Sequence, residues 1–137
     1  MPTDQTRKDL LELFGKDAAK AKKQIHIIVS GHEIPAETTL AYKQAVDRGV
    51  KVRKLIQNKD QENIRLARHW QKIGVEVKYT PMMQARIITL DGQITHFGSY
   101  DQYQHLKSMG VRFDYAPYAQ IMDEMFEQRW KLGNLLI

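Results

Sequence analysis

The sequence predicts an α/β domain in which a mixed, mostly parallel sheet is flanked by helices. Short β-branched segments alternate with amphipathic segments as far as residue 79, and glycine or Ser-Gly turn signals separate them. The dipeptide Asp91-Gly92, a strong hairpin signal, then joins two further apolar runs. Because helices connect the first three strands, those strands should be parallel, and the hairpin should add antiparallel strands.

The predicted elements follow one another with short connections. In the first half they are a helix at 3–21, a strand at 24–29, a helix from 35 to a stop at 49, a strand at 50–56, a helix at 60–73 and a strand at 75–79. In the second half they are hairpin strands at 85–90 and 93–97, a strand at 110–115 and a helix at 116–132. We divide the chain into an N-terminal connector or packing helix, residues 1–22, and one domain, residues 23–137.

Composition restricts the chemistry that the chain can perform. The 137 residues contain no cysteine, which excludes disulfides, thiolate metal sites and cysteine nucleophiles. The formal charge of +5 favours anionic partners. His69 and His105 have no partner at metal-ligand spacing, so we expect no metal and no cofactor. Because the sequence shows neither a membrane span nor a signal peptide, we expect a cytoplasmic protein.

One segment carries the spacing of a phosphoryl-transfer motif. The run QARIITLDGQITHFGSYD reads Gln84-x-Arg86, four residues, Asp91, six residues, Gly98-Ser99-x-Asp101. It resembles the phospholipase D superfamily motif, H-x-K, four residues, D, six residues, G-S-x-N, without a gap. Ala45 to Val52 also resembles the A-x-x-R-G-V-x-V segment of that superfamily, and Phe126 and Trp130 match its closing Phe-x-x-x-Trp. The resemblance implies a phospholipase D-like αβα sandwich.

The resemblance also assigns a role to each motif position. In the active enzymes the histidine attacks phosphorus, the lysine neutralises phosphoryl oxygens, and the serine and asparagine hold the phosphate. Here Gln84 stands at the nucleophile position, and an amide cannot form that intermediate. Arg86 keeps the positive charge, whereas Asp101 places a carboxylate where asparagine is expected. Asp91 and Ser99 are retained, although Asp91 could serve the Asp-Gly turn equally well.

These departures predict a non-catalytic regulatory or oligomerisation domain. The resemblance is nearest to the effector domains of TrmB-type archaeal transcription regulators, which implies DNA contact through a domain outside this chain. A single motif copy implies a homodimer, and the opening helix is a candidate dimerisation element. We expect any ligand to be a small polar molecule over the carboxyl ends of the strands, near Ser30, His32 and the motif residues.

Two alternatives stay open at this point. The chain could be a phosphodiesterase or nuclease in which His32 or His96 replaces the missing nucleophile. It could also bind nucleic acid through basic residues around the second crossover, although a solvated face is the more common explanation of such a run: Arg53, Lys54, Lys59 and Arg65. We interpret His26 and His96 as buried strand residues, because apolar residues flank both.

Overall fold

A computed structural model describes residues 7–29, 35–81, 85–99 and 110–135 of the protein. These ranges contain four helices and seven strands. In chain order they are α1 (Arg7–Lys20), β1 (Gln24–Val29), α2 (Pro35–Asp47), β2 (Lys51–Ile56), α3 (Gln61–Lys72), β3 (Glu76–Tyr79), β4 (Ala85–Leu90), β5 (Ile94–Ser99), β6 (Gly110–Asp114), α4 (Ala116–Leu132) and β7 (Asn134–Leu135). The sequence predicted the position of every element except β7, a two-residue strand too short to show a pattern.

All seven strands form one sheet in the order β6-β5-β4-β1-β2-β3-β7. Strands β1, β2 and β3 are parallel, which confirms the prediction from the helical crossovers. Strand β4 pairs antiparallel with β1, and β5 and β6 extend the sheet from it in antiparallel register. The sheet is therefore mixed as predicted, but it is not mostly parallel: among the described strands, two pairs are parallel and four are antiparallel, because the hairpin, β6 and β7 all add antiparallel strands. Strands β1 and β2 lie near its centre.

Two apolar layers cover the sheet. Helices α1, α2 and α3 pack on one face, where Phe14, Tyr42 and Trp70 meet alternate strand residues such as Ile27. Helix α4 packs on the other face, where Phe126 meets Ile28, Leu55 and Ile87. Successive strand residues point to opposite faces of the sheet, and helices cover both faces at β1 and β2. Both sets of alternating side chains are therefore buried in these two strands.

Helix α1 contributes to the same core as the rest of the domain. Phe14, Ala18 and Ala21 are buried at 5%, 1% and 3% exposure. The guanidinium of Arg48, just after α2, donates hydrogen bonds to the carbonyls of Ala18 and Ala21 at 2.7 and 3.0 Å. The Ala18 carbonyl also accepts the backbone N–H of Ala21 at 3.2 Å, so the Arg48 bonds add to the capping of the carbonyl end of α1.

The sequence predicted that the basic run around β2 is a solvated face, and this prediction is wrong for two of its residues. Lys54 is 0% exposed and Arg53 is 8% exposed, because β2 is a central strand with a helical layer on each side. Lys59 and Arg65 are exposed, as expected. Among the described residues, no helix combines the length and the apolar character that crossing a membrane requires.

Candidate functional site

The β4–β5 pairing brings the two halves of the motif together. Arg86 lies opposite Gly98, and Ala85 lies opposite Ser99. Since Ile28 pairs with Ile87, this end of the hairpin adjoins the carboxyl end of β1. Residues twelve to fourteen positions apart in the sequence are therefore neighbours at the sheet edge where the sequence placed the ligand.

The predicted site lies partly within the described residues. Ser30, His32, Gln84 and Asp101 lie outside the described residues, and Ser99 is described as a strand residue without its side chain. Arg86 is half-buried. Because side chains alternate along a strand, Arg86 lies on the same face of the sheet as Ile88 and as His96, which pairs with Ile88. Helix α1 covers this face.

A second cation lies on the same face and was not identified as a site residue from the sequence. Lys54 is two strands away from Arg86, and its Nζ donates to the Tyr42 hydroxyl at 2.9 Å. The ammonium also lies 3.5 Å from the centre of the Trp70 ring and 4.8 Å from that of Tyr42. A buried ammonium requires such compensation, and cation–π contacts strengthen when water is excluded. The signal was a lysine within a strand predicted to lie inside a parallel sheet.

Asp91 does not join Arg86, because it lies at the opposite end of β4. Its carboxylate accepts hydrogen bonds from the backbone N–H groups of Lys22, Lys23 and Gln24 at 2.9, 2.8 and 3.0 Å. Burial alone would raise the pKa of Asp91, but these three bonds hold it below its ordinary value of 3.8. Asp91 therefore fixes the entry into β1, and its backbone occupies the left-handed region at φ 56°.

A buried polar network joins the sheet to α4. Arg53 Nη2 lies 2.7 Å from His26 Nε2, and His26 Nδ1 lies 2.8 Å from Asp123 Oδ1. Since Arg53 can only donate, His26 Nε2 accepts from Arg53 and His26 Nδ1 donates to Asp123. Arg53 also forms a two-pronged ion pair with Glu127, and the His26 ring stacks on Phe126 at 4.4 Å.

A second network joins the opposite face of the sheet to α1. His96 Nε2 lies 2.6 Å from Asp17 Oδ2. The Arg112 guanidinium donates hydrogen bonds to both carboxylate oxygens of Asp17, at 2.8 and 2.9 Å. Burial lowers the pKa of His96 below 6.5, because desolvation of the charged ring outweighs the hydrogen bond and charge of Asp17. Burial would raise the pKa of Asp17, but the bonds from Arg112 and His96 lower it below 3.8. Both histidines are buried, as the sequence predicted.

Comparison with solved structures identifies the fold of the chain. No protein-family model and no curated protein matches the chain. The structure of TrmBL2, described as an archaeal chromatin protein with a novel mode of DNA binding, superimposes with a TM-score of 0.76 at 17% identity. NucT from Helicobacter pylori superimposes with a TM-score of 0.74 at 14% identity. The chain has the phospholipase D-like fold.

The coverage of these phospholipase D-like neighbours differs. The superposition with TrmBL2 spans 95% of this chain but 52% of TrmBL2, so the chain spans about half the length of that protein. The superposition with NucT spans 93% of this chain and 91% of NucT. Polyphosphate kinase from Porphyromonas gingivalis has a TM-score of 0.70 at 14% identity, over 90% of this chain and 24% of the kinase. The predicted phospholipase D-like fold is confirmed, and the neighbours include enzymes as well as a chromatin protein.

Proposed function

We propose that the chain is a non-catalytic regulatory module that binds a small polar molecule at its altered phosphoryl-transfer site. The observation that carries this proposal is Gln84 at the nucleophile position of a motif otherwise kept in register. An amide nitrogen has no lone pair available for attack on phosphorus, so the covalent route of the active enzymes is closed. The β4–β5 pairing keeps two described positions of the motif, Arg86 and Gly98, adjacent.

The ligand-binding part of the proposal depends on positive charge near the carboxyl ends of the strands. Arg86 is half-buried on the face covered by α1 to α3, and Lys54 is buried two strands away on that face. A guanidinium can hold an anionic group through two parallel hydrogen bonds, whereas the amide of Gln84 suits hydroxyl groups. A small polar or anionic metabolite fits this chemistry better than a lipid tail.

The regulatory part of the proposal draws on the superposition with TrmBL2. That superposition leaves nearly half of TrmBL2 without a counterpart in this chain. We assign the chain to the effector portion of a transcription regulator, with sequence-specific DNA contact made by a domain outside it. Binding of the ligand to this effector portion would then change the activity of the whole regulator.

The experiment begins with the full chain and native mass spectrometry, which would show a co-purified small molecule as a discrete mass increase. Titration calorimetry with inorganic phosphate and with a neutral disaccharide then separates anion binding from hydroxyl binding. We expect Arg86→Ala to weaken phosphate binding by about 1 to 3 kcal/mol, and the control Arg86→Lys to weaken it less. Equal phosphate affinity in the wild type and Arg86→Ala would show that the anion site is elsewhere.

The absence of catalysis has its own test. Wild-type protein is incubated with bis(4-nitrophenyl) phosphate and with single-stranded DNA, and Gln84→Ala serves as the matched control. We expect no turnover above the buffer rate in either protein. Turnover in the wild type would contradict the proposal.

A phosphodiesterase with an altered centre is the second candidate, and the superposition over 91% of NucT favours it. In that case turnover should disappear in His32→Ala or His96→Ala. The described contacts of His96 weaken its candidacy, because its Nε2 is bonded to Asp17 and the residue is 8% exposed. A loss of turnover in His32→Ala alone would therefore support this candidate most directly.

We also propose that the chain forms a homodimer. Strand β6 is an edge of the sheet, and the apolar side chains around it are exposed: Phe97 at 39%, Val111 at 41% and Phe113 at 41%. Contiguous exposed apolar residues are a common mark of protein interfaces. Light scattering should give twice the chain mass, and Phe97→Ser with Val111→Thr should reduce it. A wild-type monomer at micromolar concentration would contradict the dimer.

A further inference from the structure

The outer side of α3 carries a row of basic side chains. Arg65, Arg68, His69 and Lys72 follow the spacing i, i+3, i+4, i+7, which places them along one stripe of the helix. All four are exposed, while Trp70 on the opposite side of the helix is buried. We call these four side chains the α3 basic row.

The α3 basic row has no acidic partner among the described residues. Other surface lysines do: Lys43 lies 3.0 Å from Asp47, and Lys51 lies 4.0 Å from Glu76. None of the ion pairs in the described part of the chain includes a member of the row. Like charges three or four residues apart destabilise a helix, so a bound anion would relieve this repulsion.

The row lies along a groove on a firmly held helix. The groove has a volume of about 580 Å³, and Gln61 and Ile64 extend it toward the start of α3. The Asp60 carboxylate caps the helix by accepting the N–H of Asn63 at 2.8 Å. Trp70 Nε1 donates to Thr39 Oγ1 at 2.9 Å, which ties α3 to α2. The basic side chains are therefore displayed on a fixed backbone.

We propose that the α3 basic row binds the phosphate backbone of duplex DNA. Its first and last members are seven residues apart, about 10 Å along the helix axis. Successive phosphates of one DNA strand rise about 3.4 Å along the duplex axis and also rotate around it, so a row of this length can meet about two or three of them. Two arginines suit phosphate, because the guanidinium can bind two phosphate oxygens at once.

The composition of the groove favours a nucleic acid over a membrane surface. A helix that lies on a membrane presents large apolar side chains beside its cations. Among the described residues that line this groove, Ile64 is the only large apolar one. Contacts to phosphates alone carry no sequence information, so binding should be independent of base sequence and should weaken steeply with salt.

The test measures fluorescence anisotropy of a labelled duplex of arbitrary sequence with the full chain. The test variant is Arg65→Gln with Arg68→Gln and Lys72→Gln, since glutamine is a good helix former. The control variant removes the same charge from three exposed lysines elsewhere, Lys16→Gln with Lys20→Gln and Lys51→Gln. Circular dichroism melting of each variant verifies that the fold is retained.

We expect the test variant to bind at least tenfold more weakly than the control at about 50 mM salt. The slope of log affinity against log salt should fall by about 2 to 3 in the test variant, because each phosphate contact contributes about 0.9. Equal affinity of the two variants, or no wild-type binding at this salt, would overturn the proposal. So would binding to phosphatidylserine vesicles through the row without binding to DNA. The α3 row lies outside the motif, so unchanged DNA binding by Arg86→Ala distinguishes this proposal from the effector-site proposal.

Discussion

The two faces of the sheet are joined to their outer helices by networks of the same residue types but of different connectivity. On the α4 face, His26 and Arg53 each have a carboxylate, Asp123 and Glu127, and they also bond to each other. On the α1 face, His96 and Arg112 share the single carboxylate of Asp17. One network therefore distributes its negative charge over two residues, and the other concentrates it on one.

This difference predicts that the two faces tolerate substitution unequally. Loss of a shared acceptor leaves several donors without a partner at once, and an unsatisfied buried donor costs more than a hydrogen bond contributes. Loss of one acceptor in the distributed network leaves the other ion pair in place. The α1 face should therefore be the more sensitive of the two.

The largest effect should follow from deleting residues 1–21. This deletion removes Phe14 and Ala18 from the core and leaves His96 and Arg112 without Asp17. We expect loss of cooperative thermal unfolding, measured by near-ultraviolet circular dichroism. Deletion of residues 1–6 is the control and should leave the transition sharp.

A cooperative transition in the longer deletion would show that α1 is dispensable for folding. The solution mass of that protein would then test the opening helix as a dimerisation element. If folding is lost, the mass alone carries no information about the dimer.

Asp17→Asn should have the next largest effect. We expect the free energy of unfolding to fall by about 2 to 3 kcal/mol, less than for a fully buried pair because the Arg112 side chain is 35% exposed. Urea denaturation at neutral pH measures this change. The variant Arg112→Gln should lower the free energy of unfolding less than Asp17→Asn does. Equal losses would indicate that the contact between His96 and Asp17 does not stabilise the fold.

Asp123→Asn should have a smaller effect than Asp17→Asn. His26 Nδ1 and the Thr89 hydroxyl both donate to the same oxygen of Asp123, and the asparagine oxygen can still accept both protons, while Arg53 keeps Glu127. We expect a loss of about 1 kcal/mol in the same urea experiment. A loss equal to or greater than that of Asp17→Asn would reverse the proposed order of the two faces.

The smallest effect should be a pH dependence that belongs to His96. Burial lowers the pKa of His96 in the folded protein, so below pH 6.5 the unfolded chain binds this proton more readily than the folded chain. The free energy of unfolding should therefore decrease as the pH falls through about 6.5. His96→Gln should remove this part of the decrease, and the exposed His69→Gln should retain it. The same slope in all three proteins would contradict the assignment.

Much of the fold could be predicted from the sequence because local signals agree with the packing. The run Gln24 to Val29 is short and β-branched, and Asp91-Gly92 forms the hairpin turn that the dipeptide indicates. The order of the strands in the sheet is a long-range property that no local pattern contains. Strand β7 escaped prediction because two residues show no period.

The candidate site could be predicted less completely. Motif spacing located Arg86 beside the carboxyl end of β1, and the β4–β5 pairing confirms that Arg86 and Gly98 are neighbours. The partners of buried charges were not visible, because Asp17 and His96 are 79 positions apart. A clue to Asp17 was its position between Phe14 and Ala18, on the apolar side of α1.

Asp91 has a consequence for reading motifs of this kind in genomes. Its carboxylate organises three consecutive amides where the central strand begins, a task that is independent of any reaction. A chain without catalytic activity would still be stabilised by these three bonds. The presence of the aspartate in an uncharacterised sequence is therefore evidence for the architecture, and says nothing about turnover.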